Sequence, residues 1–198
     1  MGKPLTDDAL DTLFRTARTY NGYTDEPVRE DRFRAIWDLM KFGPTSANQL
    51  PARLVWCVTD EAKARLAACA SAQNAPKILK APVTVIIGMD TNFHEHLPEL
   101  FPHNQTAKSW FDGNAELREA SAFRNSSLQG AYFLLAARAI GLDTGPMSGF
   151  DNGQVDAAFF ADTPAVRSNF ISTLGHGDPA TIFDRSPRPA FEKFNTIA

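Results

Sequence analysis

The stretch 114–140 constrains this chain more than any other. It is the longest helical pattern in the sequence, and Gly141 follows it where a left-handed residue commonly closes a helix. Its second half, Ala131-Tyr132-Phe133-Leu134-Leu135-Ala136-Ala137, is apolar all round. Such a helix needs cover on every side, so it is either the core helix or an interface between copies. Arg138 interrupts the apolar run far short of a membrane span.

The remaining periodicities fill in around it. Thr6 can cap a first helix, with Asp7 and Asp8 favourable at its positive end and Leu10, Leu13, Phe14 and Ala17 on its apolar face. A second helix shows Phe33, Ile36, Trp37 and Met40 at the spacing of one face, and Gly43-Pro44 ends it, the glycine permitting the turn. Residues 54–59 read as a buried strand and 61–72 as an Ala-rich helix. Residues 82–88 are a β-branched, nearly continuous second strand, and 166–174 a third. Residues 89–109 carry Pro98, Pro102 and three histidines without a clean period, which predicts a long loop or short irregular helices covering a site. Irregular spacing and long helices favour an α+β layer over a regular doubly wound sheet. The length predicts one domain, residues 1–198.

The net charge of −3 and scattered basic residues give no nucleic-acid footprint. Cys57 and Cys69 read as buried free thiols, which favours a reducing compartment. With no apolar leader core among the first residues, the expectation is a cytoplasmic protein that does not engage a membrane.

Three segments could together build a site for an anion and a flat ring. Arg18 with Thr19 offers a guanidinium fork and a hydroxyl for a phosphate. Ser46 and Asn48 offer short polar contacts after a rigid turn. The stretch 144–149, Thr-Gly-Pro-Met-Ser-Gly, reads as a loop whose glycines would let backbone N–H groups approach a planar ring. The rival is a metal-dependent hydrolase using His94, His96 and His103, imidazoles that zinc would accept. No nucleophile elbow, dinucleotide fingerprint or P-loop is present.

Four ordered blocks carry a resemblance over nearly the full length: Ala17-Arg18-Thr19-Tyr20-Asn21-Gly22, Lys41-Phe42-Gly43-Pro44-Thr45-Ser46-Ala47-Asn48, Phe123-Arg124-Asn125-Ser126-Ser127, and the ten residues from Gly141 to Phe150. The chain resembles the FMN-dependent nitroreductase superfamily, in particular its RutE/HadB-type branch, which includes malonic semialdehyde reductases. The resemblance implies an α+β fold with a central mixed sheet flanked by helices, in an intertwined homodimer with FMN at the interface. It implies that Arg18, Thr19 and Asn21 bind the phosphate end of FMN, and that Thr45, Ser46 and Asn48 approach the ring. It further implies that Pro146, Met147, Ser148 and Gly149 line the flavin, and that Arg188, or failing that Arg185, reaches the phosphate. Asn21 stands where many members carry a second phosphate-binding arginine, Leu50 where many carry Gln, and Ala52 where many carry Trp. The implied activity is ping-pong hydride transfer from NADH or NADPH through the flavin to a small acceptor, with no catalytic side chain required.

Overall fold

The β-branched run becomes β2 (Val83–Asp90), buried along its whole length and central to the sheet. The computed structural model describes residues 2–198. β1 (Ala52–Cys57) pairs antiparallel with one side of β2, and β4 (Val166–Gly175) pairs antiparallel with the other. β3 (Asp143–Met147) adds to the outer side of β4, giving the order β1-β2-β4-β3. The expected helix-flanked sheet is present, but its four strands are all antiparallel. Its parallel component is one isolated bridge, Thr19 to Thr144.

Helices cover both faces. On one lie α2 (Glu30–Met40) and α6 (Ala115–Ala139), whose Ile36, Met40, Phe133 and Ala136 pack against Val83, Val85, Ile87 and Leu174. On the other lie α3 (Asp60–Ala68), α4 (Ala75–Lys80) and α7 (Asn152–Phe159). There Leu66, Ile78 and Val155 enclose Ile86 and Ile171. Burial on both faces is why β2 reads as a continuous apolar run although its pairing is antiparallel. Residues 93–111 fold over a third cluster, in which Phe93, Leu97, Ala107 and Phe111 meet Met89 and Ala122.

The structure corrects several sequence expectations. The stretch 144–149 is mostly strand: Gly145 and Pro146 disguise an edge position, where a missing N–H costs little. The Ala-rich helix stops at Ala68, and α4 follows after a break that the sequence pattern did not reveal. Residues 89–109 hold short helical turns, as expected, including α5 (Leu97–Leu100).

The first helix, α1 (Asp7–Leu10), is capped by Thr6, whose Oγ1 accepts from the Ala9 N–H at 3.3 Å, and it continues past Leu10 as a π-helical turn. Gly141 does close α6: its φ is +81°, and the Leu142 N–H reaches back to the Ala137 carbonyl at 2.9 Å. Gly43 has no positive φ; a Cβ there would lie 2.1 Å from the Tyr132 ring, so close packing requires the glycine.

Of the two expectations for α6, a core helix covered on every side within one chain does not hold. Phe133, Ala136 and Ala137 face the sheet, while Ala131 is exposed and Tyr132, Leu134 and Leu135 are half-buried. Its N-terminal half buries a polar row instead, Ser121, Asn125, Ser126 and Gln129. Among the described residues no helix is long and apolar enough to cross a membrane.

Candidate functional site

A cavity of about 390 Å³ lies between the end of the first helix, the C-terminal end of α6 and the tail. Arg18, Thr19, Asn21, Arg138, Arg185 and Arg188 line it, together with Phe14 and Phe183. Four guanidinium groups face one carboxylate there, Asp184. A planar fork of N–H donors matches an oxyanion such as a phosphate or carboxylate, so the chemistry of this wall suits an anionic group.

Backbone carbonyls hold the forks. Arg18 Nη2 donates to the Phe183 carbonyl, Arg185 Nη2 to that of Ala17 at 3.0 Å, and Arg138 Nη1 to that of Leu13 at 2.8 Å. Arg188 Nη1 bonds only the neighbouring carbonyls of Ser186 and Pro187. Both C-terminal arginines therefore belong to the pocket.

The Arg18–Tyr23 segment is stitched to the sheet. The Tyr20 N–H donates to the Thr144 carbonyl at 3.2 Å, and Asn21 Nδ2 to the Thr181 carbonyl at 3.0 Å. A Cβ on Gly145 would lie 2.6 Å from the Tyr20 carbonyl oxygen and 2.5 Å from Thr173 Oγ1. Gly145 is thus required by the chain crossing β3, rather than by access for a ring. Tyr23 is half-buried, its hydroxyl 2.7 Å from Thr173 Oγ1, and desolvation holds that phenol above its ordinary pKa.

This crossing brings Arg18 and Thr19 beside β3, and Pro146, Met147, Ser148 and Gly149 continue from the same strand. The Gly149 carbonyl accepts from the Ser71 N–H at 2.9 Å and from Asn74 Nδ2 at 3.1 Å. Sequence reasoning missed these two residues. Their only signal was a short polar interruption, Ser71 to Asn74, in an otherwise Ala-rich segment.

The loop from Thr45 to Leu50 is elsewhere. Ala47, Asn48 and Leu50 all hold positive φ, at 47°, 50° and 43°. A left-handed backbone is costly for Ala and Leu, so the surroundings must impose it. Asn125 Oδ1 accepts from the Ser46 N–H at 2.8 Å. Asn125 Nδ2 donates to Gln49 Oε1 at 3.1 Å, and Ser121 Oγ donates to the same oxygen at 2.9 Å. Gln49, Ser121 and Asn125 are all buried. Thr45 Oγ1 accepts from the Leu50 N–H at 3.3 Å, and Asn48 Nδ2 donates to the Leu100 carbonyl at 2.8 Å, tying the loop to α5.

Asn125 lies thirteen residues before Arg138 on α6, a rise of about 20 Å along the helix. Within one protomer the Ser46–Asn48 loop is therefore anchored about 20 Å along α6 from the arginine pocket, whose Arg18 segment pairs with the start of β3.

The three histidines do not converge. His94 is buried beside Phe93 and Phe111, and burial lowers its pKa from the ordinary 6.5. His96 faces Asp90 from 4.0 Å, and His103 packs edge-on against Phe101. Among the described residues no group of three or more metal-ligating side chains is gathered. The hydrolase expectation is thus corrected: short helical turns spread the histidines over different faces.

Comparison with known proteins agrees with this architecture. The pattern described as the Nitroreductase family matches residues 14–176. A Burkholderia lata protein named "Putative NADH dehydrogenase/NAD(P)H nitroreductase" is 61% identical over 98% of each chain. The HadB protein of Ralstonia pickettii, which bears the same description, is 56% identical over 96% of this chain and 97% of its own. An Exiguobacterium sibiricum nitroreductase structure in complex with FMN superposes with a TM-score of 0.85 at 19% identity, covering all of both chains. A nitroreductase family protein of Streptococcus pneumoniae gives 0.83 at 18% identity over 94% of this chain and 98% of that one. The chain belongs to the nitroreductase family.

Proposed function

We propose that this protein is an FMN-dependent NAD(P)H oxidoreductase whose flavin sites are each completed by a second copy of the chain. The observation that carries the reading is the four-arginine cavity, lined by the Arg18 segment that pairs with the start of β3. Relatives named as NAD(P)H nitroreductases and an FMN-bound neighbour of the same fold support the cofactor assignment.

Arg18, Thr19 and Arg188, with Arg185 beside them, hold the FMN phosphate. Pro146, Met147, Ser148 and Gly149 present the β3 turn to the isoalloxazine edge, and Ser71 and Asn74 fix that turn through the Gly149 carbonyl. When bound, FMN supplies two-electron chemistry, accepting hydride at N5 from NADH or NADPH and releasing it to the acceptor. Ser46 and Asn48 reach the ring from the second copy, because in their own protomer they sit too far along α6. The residues between Phe93 and Phe111 lie over the ring with that loop, joined to it by the Asn48–Leu100 bond, and exclude water there.

The outer face of α6 supplies apolar surface for the dimer. Leu117 and Leu128 are exposed there, as are Phe191, Phe194 and Ile197 in the tail. A permanent interface of this kind is rich in apolar side chains. We place the protein in the cytoplasm, where its two free cysteines stay reduced.

The acceptor we infer is a small carbonyl compound such as malonic semialdehyde, on the RutE-type resemblance. The names of the relatives favour nitroaromatic compounds as a second acceptor class. The visible spectrum of natively purified protein tests the reading. Two flavin bands that bleach with anaerobic NADH support it, and a colourless protein that takes up no added FMN overturns it. Reoxidation by malonic semialdehyde against a nitroaromatic then separates the acceptors.

A further inference from the structure

The phosphate pocket contains one arginine that no matched motif supplies. Arg138 comes from the last turn of α6, not from the first helix or the tail. An arginine there would ordinarily stay on its own helix and satisfy the final carbonyls. This one turns away and bonds the Leu13 carbonyl through Nη1 alone. Its Nε and Nη2 make no hydrogen bond, and no carboxylate lies within ion-pair distance among the described residues. Asp143 is the acidic group that bears on it, and one oxygen of Asp143 already accepts from the Gly177 N–H at 3.0 Å. Arg138 is half-buried, so part of its charge is withdrawn from water with Asp143 near but not in ion-pair contact.

Asn21 presents the complementary fact. It lines the same cavity but brings no charge. Its Nδ2 is committed to the Thr181 carbonyl, which fastens the Asn-Gly turn to the segment after β4. The pocket thus has a neutral residue on the Arg18 segment and a guanidinium that arrives from another element with no carboxylate in ion-pair contact among the described residues.

We propose that Arg138 is a phosphate-binding residue of this chain, bringing a guanidinium to the pocket from the end of α6. The inference rests on the FMN reading above. The ligand group is a phosphate monoester; the isoalloxazine and ribityl chain make no demand on Arg138. Arg138 therefore sets preference for FMN over riboflavin, which has the same ring and chain without the phosphate. It also links the cofactor to α6, the helix that anchors the Ser46–Asn48 loop at its other end.

Titration of the apo-protein with FMN and with riboflavin, read by quenching of flavin fluorescence, tests this. Arg138→Gln keeps a donor for the Leu13 carbonyl and removes the charge. The expected result is that FMN binding weakens by about tenfold while riboflavin binding is unchanged, the scale of one lost charge-assisted contact. Arg138→Lys should retain part of the preference. Arg18→Ala serves as the reference for a lost phosphate contact.

An Arg138→Gln protein that keeps the full preference, while Arg18→Ala loses it, overturns the Arg138 assignment and leaves the FMN reading standing. Equal weakening for both flavins also overturns it, since that reports loosened packing. A wild-type protein with no preference for FMN over riboflavin overturns both.

Discussion

The two ends of α6 hold their polar groups by opposite physical means. At the C-terminal end, exposed and half-exposed arginines are aimed by backbone carbonyls from the first helix and the tail. The groups are charged, wet and individually adjustable. At the N-terminal end, the Thr45–Leu50 loop is held by neutral side chains, and Gln49, Ser121 and Asn125 are buried. That end has no adjustable charge; its conformation, with three positive-φ residues, is imposed by a satisfied network. Losing a member of the first cluster should cost affinity. Losing a member of the second should cost structure.

Asn125→Leu tests that contrast most severely. It strips the Ser46 N–H of its acceptor and Gln49 Oε1 of a donor in a buried setting, a loss of roughly 2–4 kcal/mol. Urea unfolding of the apo-protein should show it. A loss below about 0.5 kcal/mol would mean the loop holds itself.

Arg18→Ala is the counterpart. FMN affinity should fall by about tenfold or more with the apo-protein melting temperature nearly unchanged. The reverse pattern would erase the distinction between the two ends.

Asn48→Ala sharpens the picture at the seam between loop and cover. It removes the bond to the Leu100 carbonyl. Slower flavin reduction by NADH at nearly full occupancy is expected. Unaltered stopped-flow kinetics with a lowered melting temperature would make Asn48 a structural residue only.

Much of the first cluster was legible because arginine announces its chemistry by type. The second was not. Asn125 and Gln129 sit in the polar part of a helix, and hydropathy does not show which polar row is buried. Ala47 and Leu50 give no local sign of a left-handed backbone, since the network imposes it from a distance. β3 was hidden by Gly145 and Pro146, which suit an edge beside a crossing chain as well as they suit a loop. Helix starts were clearer, because a cap such as Thr6 acts within one turn.

Smaller effects come from buried groups near the cover and the sheet. His94 has its pKa lowered chiefly by burial, so the unfolded chain binds a proton more readily than the native one. Stability from a neutral His94 is complete above the ordinary value of 6.5 and declines as pH falls below it toward the lowered native pKa. His94→Phe should flatten that slope in melting curves between about pH 6.5 and 5. An unchanged slope would place the acid sensitivity elsewhere.

The Cys57 thiol is pushed up to about 11 by burial, whereas Cys69 is half-buried. A thiol reagent at neutral pH should label Cys69 first and reach Cys57 only on unfolding. Equal labelling of the native protein would mean the sheet opens readily.

The central claim is that each flavin site draws its arginines from one copy and its Ser46–Asn48 loop from the other. Co-expression of an Arg18→Ala/Arg188→Ala chain with an Asn48→Ala chain, each with its own tag, isolates the mixed dimer. In it, one site combines all the lesions and the other combines none. The account predicts NADH-dependent bleaching at wild-type rate with one competent FMN per mixed dimer, although each parent homodimer is impaired. A mixed dimer with no wild-type site, both halves behaving like the parents, would show that arginines and loop act within one chain.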